Sequence, residues 1–206
     1  MQNIKNSQQV AEILLDINAV KLQPFNFFTW ASGKKSPIYC DNRIILSHIK
    51  EREKIRDLLC ESILKNISQI NCIAGVATGA IAHGMLIADK LEQPFVYIRS
   101  KAKNYGRENQ IEGDLPNKSK VAIIEDLIST GGSSMNAIKA LEKANAKPVG
   151  LFSIFTYGFF NQENLSIPCY SLCDFKTLIN VAISKKMIEK ESEEILFQWQ
   201  KKQQSI

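Results

Sequence analysis

The middle of the chain alternates short apolar runs with stretches of helical spacing, and this pattern restricts the fold more than any other feature. Cys72-Ile73-Ala74-Gly75-Val76, Phe95-Val96-Tyr97-Ile98, Val121-Ala122-Ile123-Ile124 and Val149 to Phe155 are largely apolar. A strand with one wet face alternates apolar and polar residues, whereas a run apolar throughout is buried on both faces. Between these runs lie two helical stretches, Ile81 to Leu91 and Ser133 to Ala144, the second with Ala137, Ile138 and Leu141 on its inner side. Alternating strands and helices predict an α/β fold with a mainly parallel central sheet flanked by helices. Tyr170-Ser171-Leu172 suits a fifth strand, and Asp174 suits the cap of a closing helical region that carries Ile188, Ile195 and Trp199.

The N-terminal part reads differently. Ser7 is expected to cap a helix with Val10, Ile13, Leu14 and Ile17 on one face, and Ser47 a second helix burying Ile55, Leu58, Leu59 and Ile63. Between them comes an aromatic stretch, Pro24-Phe25-Asn26-Phe27-Phe28-Thr29-Trp30, then a turn at Ser32-Gly33 and a short strand within Ser36-Pro37-Ile38-Tyr39-Cys40-Asp41. A chain of 206 residues suits a single domain, 1–206, with a small N-terminal appendage.

Charge and cysteines exclude several classes. Twenty-six basic and 21 acidic residues leave a net charge of +5, which suits an anionic ligand but is too small and scattered for a nucleic-acid partner. No apolar run approaches the ~20 residues that span a bilayer, and no export signal precedes the first apolar run, so neither a membrane nor secretion is expected. Cys40, Cys60, Cys72, Cys169 and Cys173 are odd in number and form no Cys-x-x-Cys pair, and Cys169 and Cys173 lack the His neighbours of a zinc site. Free, mostly buried thiols in a reducing, cytoplasmic setting are the expectation.

One segment carries the chemistry. In Ile123-Ile124-Glu125-Asp126-Leu127-Ile128-Ser129-Thr130-Gly131-Gly132-Ser133 an apolar strand ends in two adjacent carboxylates, followed by a small, hydroxyl-rich loop and a helix start. Ligands of open α/β sheets sit at the carboxyl ends of strands. Free backbone N–H groups, three hydroxyls and a helix N-terminus would converge there, which makes a phosphate site. The carboxylates would repel a phosphate unless they bound something else, and sugar hydroxyls or Mg²⁺ suit them. A surface turn with a capping serine would also contain Gly-Gly, but it would not need the acid pair.

Residues 125–133 resemble the phosphoribosyl pyrophosphate motif of type I phosphoribosyltransferases. Phe28-Thr29-Trp30-Ala31-Ser32-Gly33 and Ser36-Pro37-Ile38-Tyr39-Cys40-Asp41-Asn42-Arg43 resemble the N-terminal signature of the orotate branch of that family. Gly75-Val76-Ala77-Thr78-Gly79-Ala80-Ile81-Ala82-His83-Gly84 is similar to its pyrophosphate loop. Tyr97 to Lys103 and Ile111-Glu112-Gly113 resemble the two ends of its catalytic loop. The resemblance runs in family order from about Pro24 to Thr156 and implies that residues 1–45 form a hood over the base site. It also implies transfer of a phosphoribosyl group to orotate, Mg²⁺ held mainly through the substrate, and a homodimer whose loops are shared.

Carried over position by position, the resemblance gives catalytic roles to Lys103, Arg99, Asp126 and Glu125. Phosphoribosyl pyrophosphate would meet Arg99, Lys103, Tyr105, Thr78, Gly79, Glu125, Asp126, Leu127, Ile128, Ser129, Thr130, Gly131, Gly132 and Ser133. Orotate would meet Ser129, Phe28 and Tyr39. Departures from the family pattern are Ala31 and Ser100 in place of Lys, Tyr105 in place of His, and Phe155-Thr156-Tyr157-Gly158 where an Arg often follows the fourth strand. The segment from Lys101 to Gln110 has little to bury internally and is expected to be mobile without ligand. His48 and His83 are expected to be structural. A purine or uracil enzyme would share residues 125–133 but not the Ser32 to Arg43 segment. A non-catalytic regulator on the same fold would add a basic face or a DNA-binding domain.

Overall fold

Strands form where the apolar runs predict them, and the later ones, from Lys120 onward, extend further at their ends. In the computed structural model, which describes residues 4–29, 33–100, 110–161 and 165–204, helix α1 (Ile4–Asp16) leads to β1 (Val20–Leu22), β2 (Phe28–Thr29), β3 (Lys35–Ser36) and β4 (Ile38–Cys40). A 3₁₀ turn (Asn42–Ser47) precedes α2 (Ile49–Asn66). Then come β5 (Cys72–Val76), α3 (Ala80–Lys90), β6 (Phe95–Ile98), β7 (Ile111–Glu112), β8 (Lys120–Ile128), α4 (Gly132–Lys143), β9 (Lys147–Thr156) and β10 (Cys169–Asp174). Helices α5 (Phe175–Ser184) and α6 (Ser192–Gln204) follow.

Six strands make the main sheet in the order β10-β9-β8-β5-β6-β7. All neighbours are parallel except β6 and β7. Alternate residues of each strand feed two apolar layers. Ile73, Ala122, Ile124, Phe152 and Ile154 pack with α1, α2, α5 and α6 on one face. Cys72, Ala74, Val121, Ile123 and Leu151 pack with Ala137, Ile138 and Leu141 of α4 on the other. Phe152, Phe155 and Phe175 are fully buried, each contributing about 1.5–3 kcal/mol by removal from water.

The N-terminal segment builds two small sheets beside the main one. Strand β1 pairs antiparallel with β4, and β2 with β3. Helix α1 joins the core itself, through Val10, Leu14 and Leu15. Helix α6 ties this region to the end of β9. Trp199 Nε1 donates to the Lys35 carbonyl (3.3 Å), and Gln200 Nε2 donates to the Tyr157 carbonyl (2.6 Å).

Three local expectations change. Ser7 does not cap α1, which already begins at Ile4; its hydroxyl is buried and meets the Cys173 thiol of β10. Ser47 closes the 3₁₀ turn, and His48 stands at the start of α2 without a side-chain cap. Strand β8 does not end before Glu125 but continues to Ile128, because β9 runs alongside it to the pair Ile128↔Thr156. Backbone pairing on that side outweighs the polarity of the two carboxylates. Asp174 does cap α5, accepting from Thr177 N–H at 2.7 Å. In α6 it is Leu196 and Trp199 that are buried, with Ile195 only half so.

Candidate active site

The site sits where β8 outruns β5. Pairing between these strands stops at Gly75↔Ile124, while β8 stays paired to β9 for four more residues. Past the end of β5 the chain turns through Ala77, Thr78 and Gly79 into α3, and Ala77 N–H is held by the Ile98 carbonyl at 2.8 Å. The Ala77–Thr78 peptide is cis. This turn brings Gly79 against Asp126 so closely that a Cβ on Gly79 would fall on the Asp126 carboxylate. Thr78 is exposed beside it.

After Ile128 the chain leaves the sheet. Ser129 is half-buried, Thr130, Gly132 and Ser133 are exposed, and Gly131 stands at the N-cap of α4. Its φ of +78° lies in the left-handed region, which glycine adopts without steric cost, and the Phe160 ring covers the place a Cβ would take. The first backbone bond into the helix runs from Met135 N–H to the Gly131 carbonyl. The N–H groups before it have no partner within the helix, and with the helix dipole they suit an anion. Leu127 packs against the core and Ile128 is buried, so their backbone, not their side chains, is available to shape this loop.

Electrostatics set the acids apart from ordinary surface carboxylates. Burial, and then the neighbouring Asp126, push Glu125 up to about 9. Asp126 is also raised by burial; its own and the Leu127 backbone groups and Arg43 oppose the rise. Glu125 is only 6% exposed, so its proton is held by lack of solvation and not by a surface partner.

A pH dependence follows from this shift. The folded chain keeps the Glu125 proton up to about pH 9, whereas the unfolded chain releases it near the ordinary value of 4.5. The Glu125 contribution to stability is therefore fully present below that ordinary value and is lost as pH rises toward 9, at most about 1.4 kcal/mol per pH unit. The lowered pKa of His83 opposes it up to the ordinary histidine value of 6.5, so the decline shows above that pH. Urea unfolding of the ligand-free protein at a series of pH values is expected to show this decline, and Glu125→Gln is expected to flatten it. Equal slopes for both proteins would mean that Glu125 is already ionised.

The remaining candidates fall into three groups. Phe28 and Tyr39 come together, with ring centroids 5.9 Å apart, on the small strands β2 and β4. Arg99 lies at the end of β6 and pairs with Glu112 of β7 (3.3 Å), while its backbone N–H donates to the Gln110 carbonyl. Lys103 and Tyr105, like Lys101, Arg107 and Ala31, lie outside the described residues. Ser100 is tied to α4 through its carbonyl, which accepts from Asn136 Nδ2 at 3.0 Å.

One contact near the acids escaped the sequence reading of the site, and His83 supports it. Asn42 is buried and its Nδ2 donates to the Asp126 carbonyl at 2.6 Å. His83, also buried, places Nε2 3.3 Å from the Asn42 carbonyl, and burial lowers its pKa to about 4. His83 is thus a neutral, structural histidine, as expected. Asn42 stands among the residues that carry the family resemblance, but an Asn before a helical turn reads locally as a turn former. Nothing in the sequence alone says that its amide reaches a strand 84 residues away.

Comparisons with known proteins show the family and the fold. Residues 42–164 match the phosphoribosyl transferase domain. A Listeria innocua protein named orotate phosphoribosyltransferase is 47% identical over 94% of this chain and 95% of its own. One of the same name from Bacteroides thetaiotaomicron is 45% identical over 96% of each chain. Among solved structures, orotate phosphoribosyltransferase from Aeropyrum pernix superposes with a TM-score of 0.74 at 26% identity, over 83% of this chain and 96% of that one.

Proposed function

The chain belongs to the orotate phosphoribosyltransferase family, and we propose on that premise that residues 125–133 and the 77–79 turn form its phosphoribosyl pyrophosphate site. The protein transfers the 5-phosphoribosyl group from phosphoribosyl pyrophosphate to orotate, giving orotidine 5′-monophosphate and pyrophosphate in pyrimidine biosynthesis. The observation that carries the assignment of the site is the acid pair at the end of β8, Glu125 buried and Asp126 half-buried, joined without a break to an open, glycine-bearing helix N-terminus.

Each part of the site has a task that its chemistry suits. Asp126 and Glu125 accept from the ribose 2′- and 3′-hydroxyls, which a carboxyl oxygen does whether or not its acid is ionised. The N–H groups of residues 129–133 and the Ser129, Thr130 and Ser133 hydroxyls hold the 5′-phosphate. Bond breaking at the anomeric carbon leaves charge on pyrophosphate, so the Thr78–Gly79 backbone, Arg99 and Lys103 stabilise the transition state more than the ground state. Tyr105 assists from the same segment. Orotate attacks through a ring nitrogen that arrives deprotonated, between Phe28, Tyr39 and Ser129, so no strong general base is required.

The donor set suits Mg²⁺ held through the substrate. The acids offer hard oxygen ligands, and no group of three metal-ligating side chains occurs among the described residues. Bound with the phosphates, Mg²⁺ would neutralise charge on the leaving group. Release of pyrophosphate on mixing the protein with orotate, phosphoribosyl pyrophosphate and Mg²⁺ tests the reading. Activity should vanish on chelation and return with Mg²⁺. No release under any metal condition would refute it.

The active form in this reading is a homodimer in the cytoplasm, with the 101–110 segment of each chain completing its partner's site, and with no part for nucleic acid or membrane. No described helix is long and apolar enough to cross a membrane. Mixing inactive Lys103→Ala with inactive Asp126→Ala is expected to restore activity, since about one site in a mixed dimer would be intact. Mixed dimers without activity would show that each chain completes its own site.

A further inference from the structure

Strand β8 has a gap in its support at the residue that matters most. Its ladder with β5 ends at Ile124, so the stretch that carries Asp126 is held by β9 on one side only. On this stretch the Asp126 carbonyl is bonded by the Asn42 side chain, Nδ2 to O at 2.6 Å. An amide thus stands where a longer β5 would have placed a backbone donor.

Asn42 is itself fixed from two directions. Cys40 of β4 donates its thiol to Asn42 Oδ1 at 3.4 Å, an orientation that leaves Nδ2 pointing to Asp126. The Cys40 thiol keeps its proton for this task, because burial raises its pKa well above the ordinary range. From α3, neutral His83 can donate Nε2–H to the Asn42 carbonyl at 3.3 Å. Asn42 is 1% and His83 3% exposed, so water does not compete for these contacts. The charged and titratable groups around Asp126 outside this network are Glu125, Asp41 and Arg43, and the last two pair with each other at 2.7 Å.

We propose that Asn42 is a positioning residue for the ribose-binding acid: Cys40 and His83 hold its amide, and the amide holds the Asp126 backbone so that the carboxylate stays seated against Gly79. The proposal rests on the assignment of Asp126 to the ribose hydroxyls. Loss of a buried hydrogen-bond donor leaves the Asp126 carbonyl unsatisfied, and the acid then relaxes away from Gly79 instead of being presented to the sugar.

The test reads affinity of folded protein for phosphoribosyl pyrophosphate with Mg²⁺ by calorimetry, beside KM, kcat and the urea midpoint. Asn42→Leu keeps size and removes the donor; it is expected to weaken phosphoribosyl pyrophosphate about tenfold. Cys40→Val removes the thiol donor at little risk to folding, and is expected to weaken it two- to threefold, whereas Cys40→Ser keeps a donor and should stay within twofold of the parent. A purely structural role would lower the urea midpoint and leave affinity unchanged. Affinity of Asn42→Leu within twofold of the parent overturns the proposal. If that variant does not fold, equal affinities for Cys40→Val and Cys40→Ser overturn it. A parent protein that binds phosphoribosyl pyrophosphate but prefers another base would correct the orotate reading and leave the proposal standing. A parent that binds none would end both.

Discussion

Asp126→Asn is expected to lower kcat/KM for phosphoribosyl pyrophosphate about 10- to 150-fold while leaving the fold as stable as before or more so. The amide has nearly the same shape, but one of its terminal atoms can no longer accept a hydrogen bond. Losing a charge-assisted bond to a sugar hydroxyl costs about 1.5–3 kcal/mol, which sets the expected range. Stability should move the other way. Burial raises the Asp126 pKa, which means that the folded state tolerates its charge poorly, and the neutral amide relieves that cost. A functional residue held at a cost to stability shows both signs at once. Steady-state kinetics and urea unfolding of the same preparation check the pair. Full activity at limiting phosphoribosyl pyrophosphate would remove Asp126 from the ribose site.

Gly79→Ala is expected to produce a loss of similar size by a different route. Gly79 has φ −61° and ψ −37°, ordinary helical values that any residue adopts, so the backbone would accept alanine and the start of α3 would even gain helix propensity. Only space forbids it, since the new methyl would occupy the position of the Asp126 carboxylate. Overpacking of this kind costs about 1–3 kcal/mol, and here the displaced group is the proposed sugar ligand. A fall of about 5- to 150-fold in kcat/KM is the corresponding expectation. Because both substitutions act on one carboxylate, Gly79→Ala combined with Asp126→Asn should cost much less than the sum of the two. Strict additivity would mean that Gly79 acts elsewhere, for instance through the leaving pyrophosphate alone.

The layered architecture was legible because apolar runs and helical spacing are local signals, and β5 and β6 occupy the predicted residues without change. The ends of β8 and β9 were not legible, because they depend on each other. Glu125 to Ile128 form a strand only because β9 is there to pair with them. Ser7 shows the same limit. Its residue type favours a cap, but burial against Cys173 takes it into the helix. For the site, residues 125–133 announced themselves through an unusual grouping of acids, hydroxyls and glycines in one stretch. The contact between Gly79 and Asp126 joins residues far apart in the chain, and the Asn42 bridge joins a third segment to them, so neither could be read from spacing. The absent loop His and the absent Arg after β9 remain visible only against the family pattern. Tyr157, which stands near that second position, is buried and stacks on Phe159.

The measurement that tests the central claim most directly is a panel of bases. Orotate, uracil, hypoxanthine, guanine and adenine are each supplied with phosphoribosyl pyrophosphate and Mg²⁺, and pyrophosphate release is followed to give kcat/KM for each. A site that recognises the base by hydrogen-bonding it rejects analogues lacking those groups by up to about 10⁴-fold, so orotate should exceed every other base by orders of magnitude. Efficient turnover of a purine or of uracil, with none of orotate, would contradict the account.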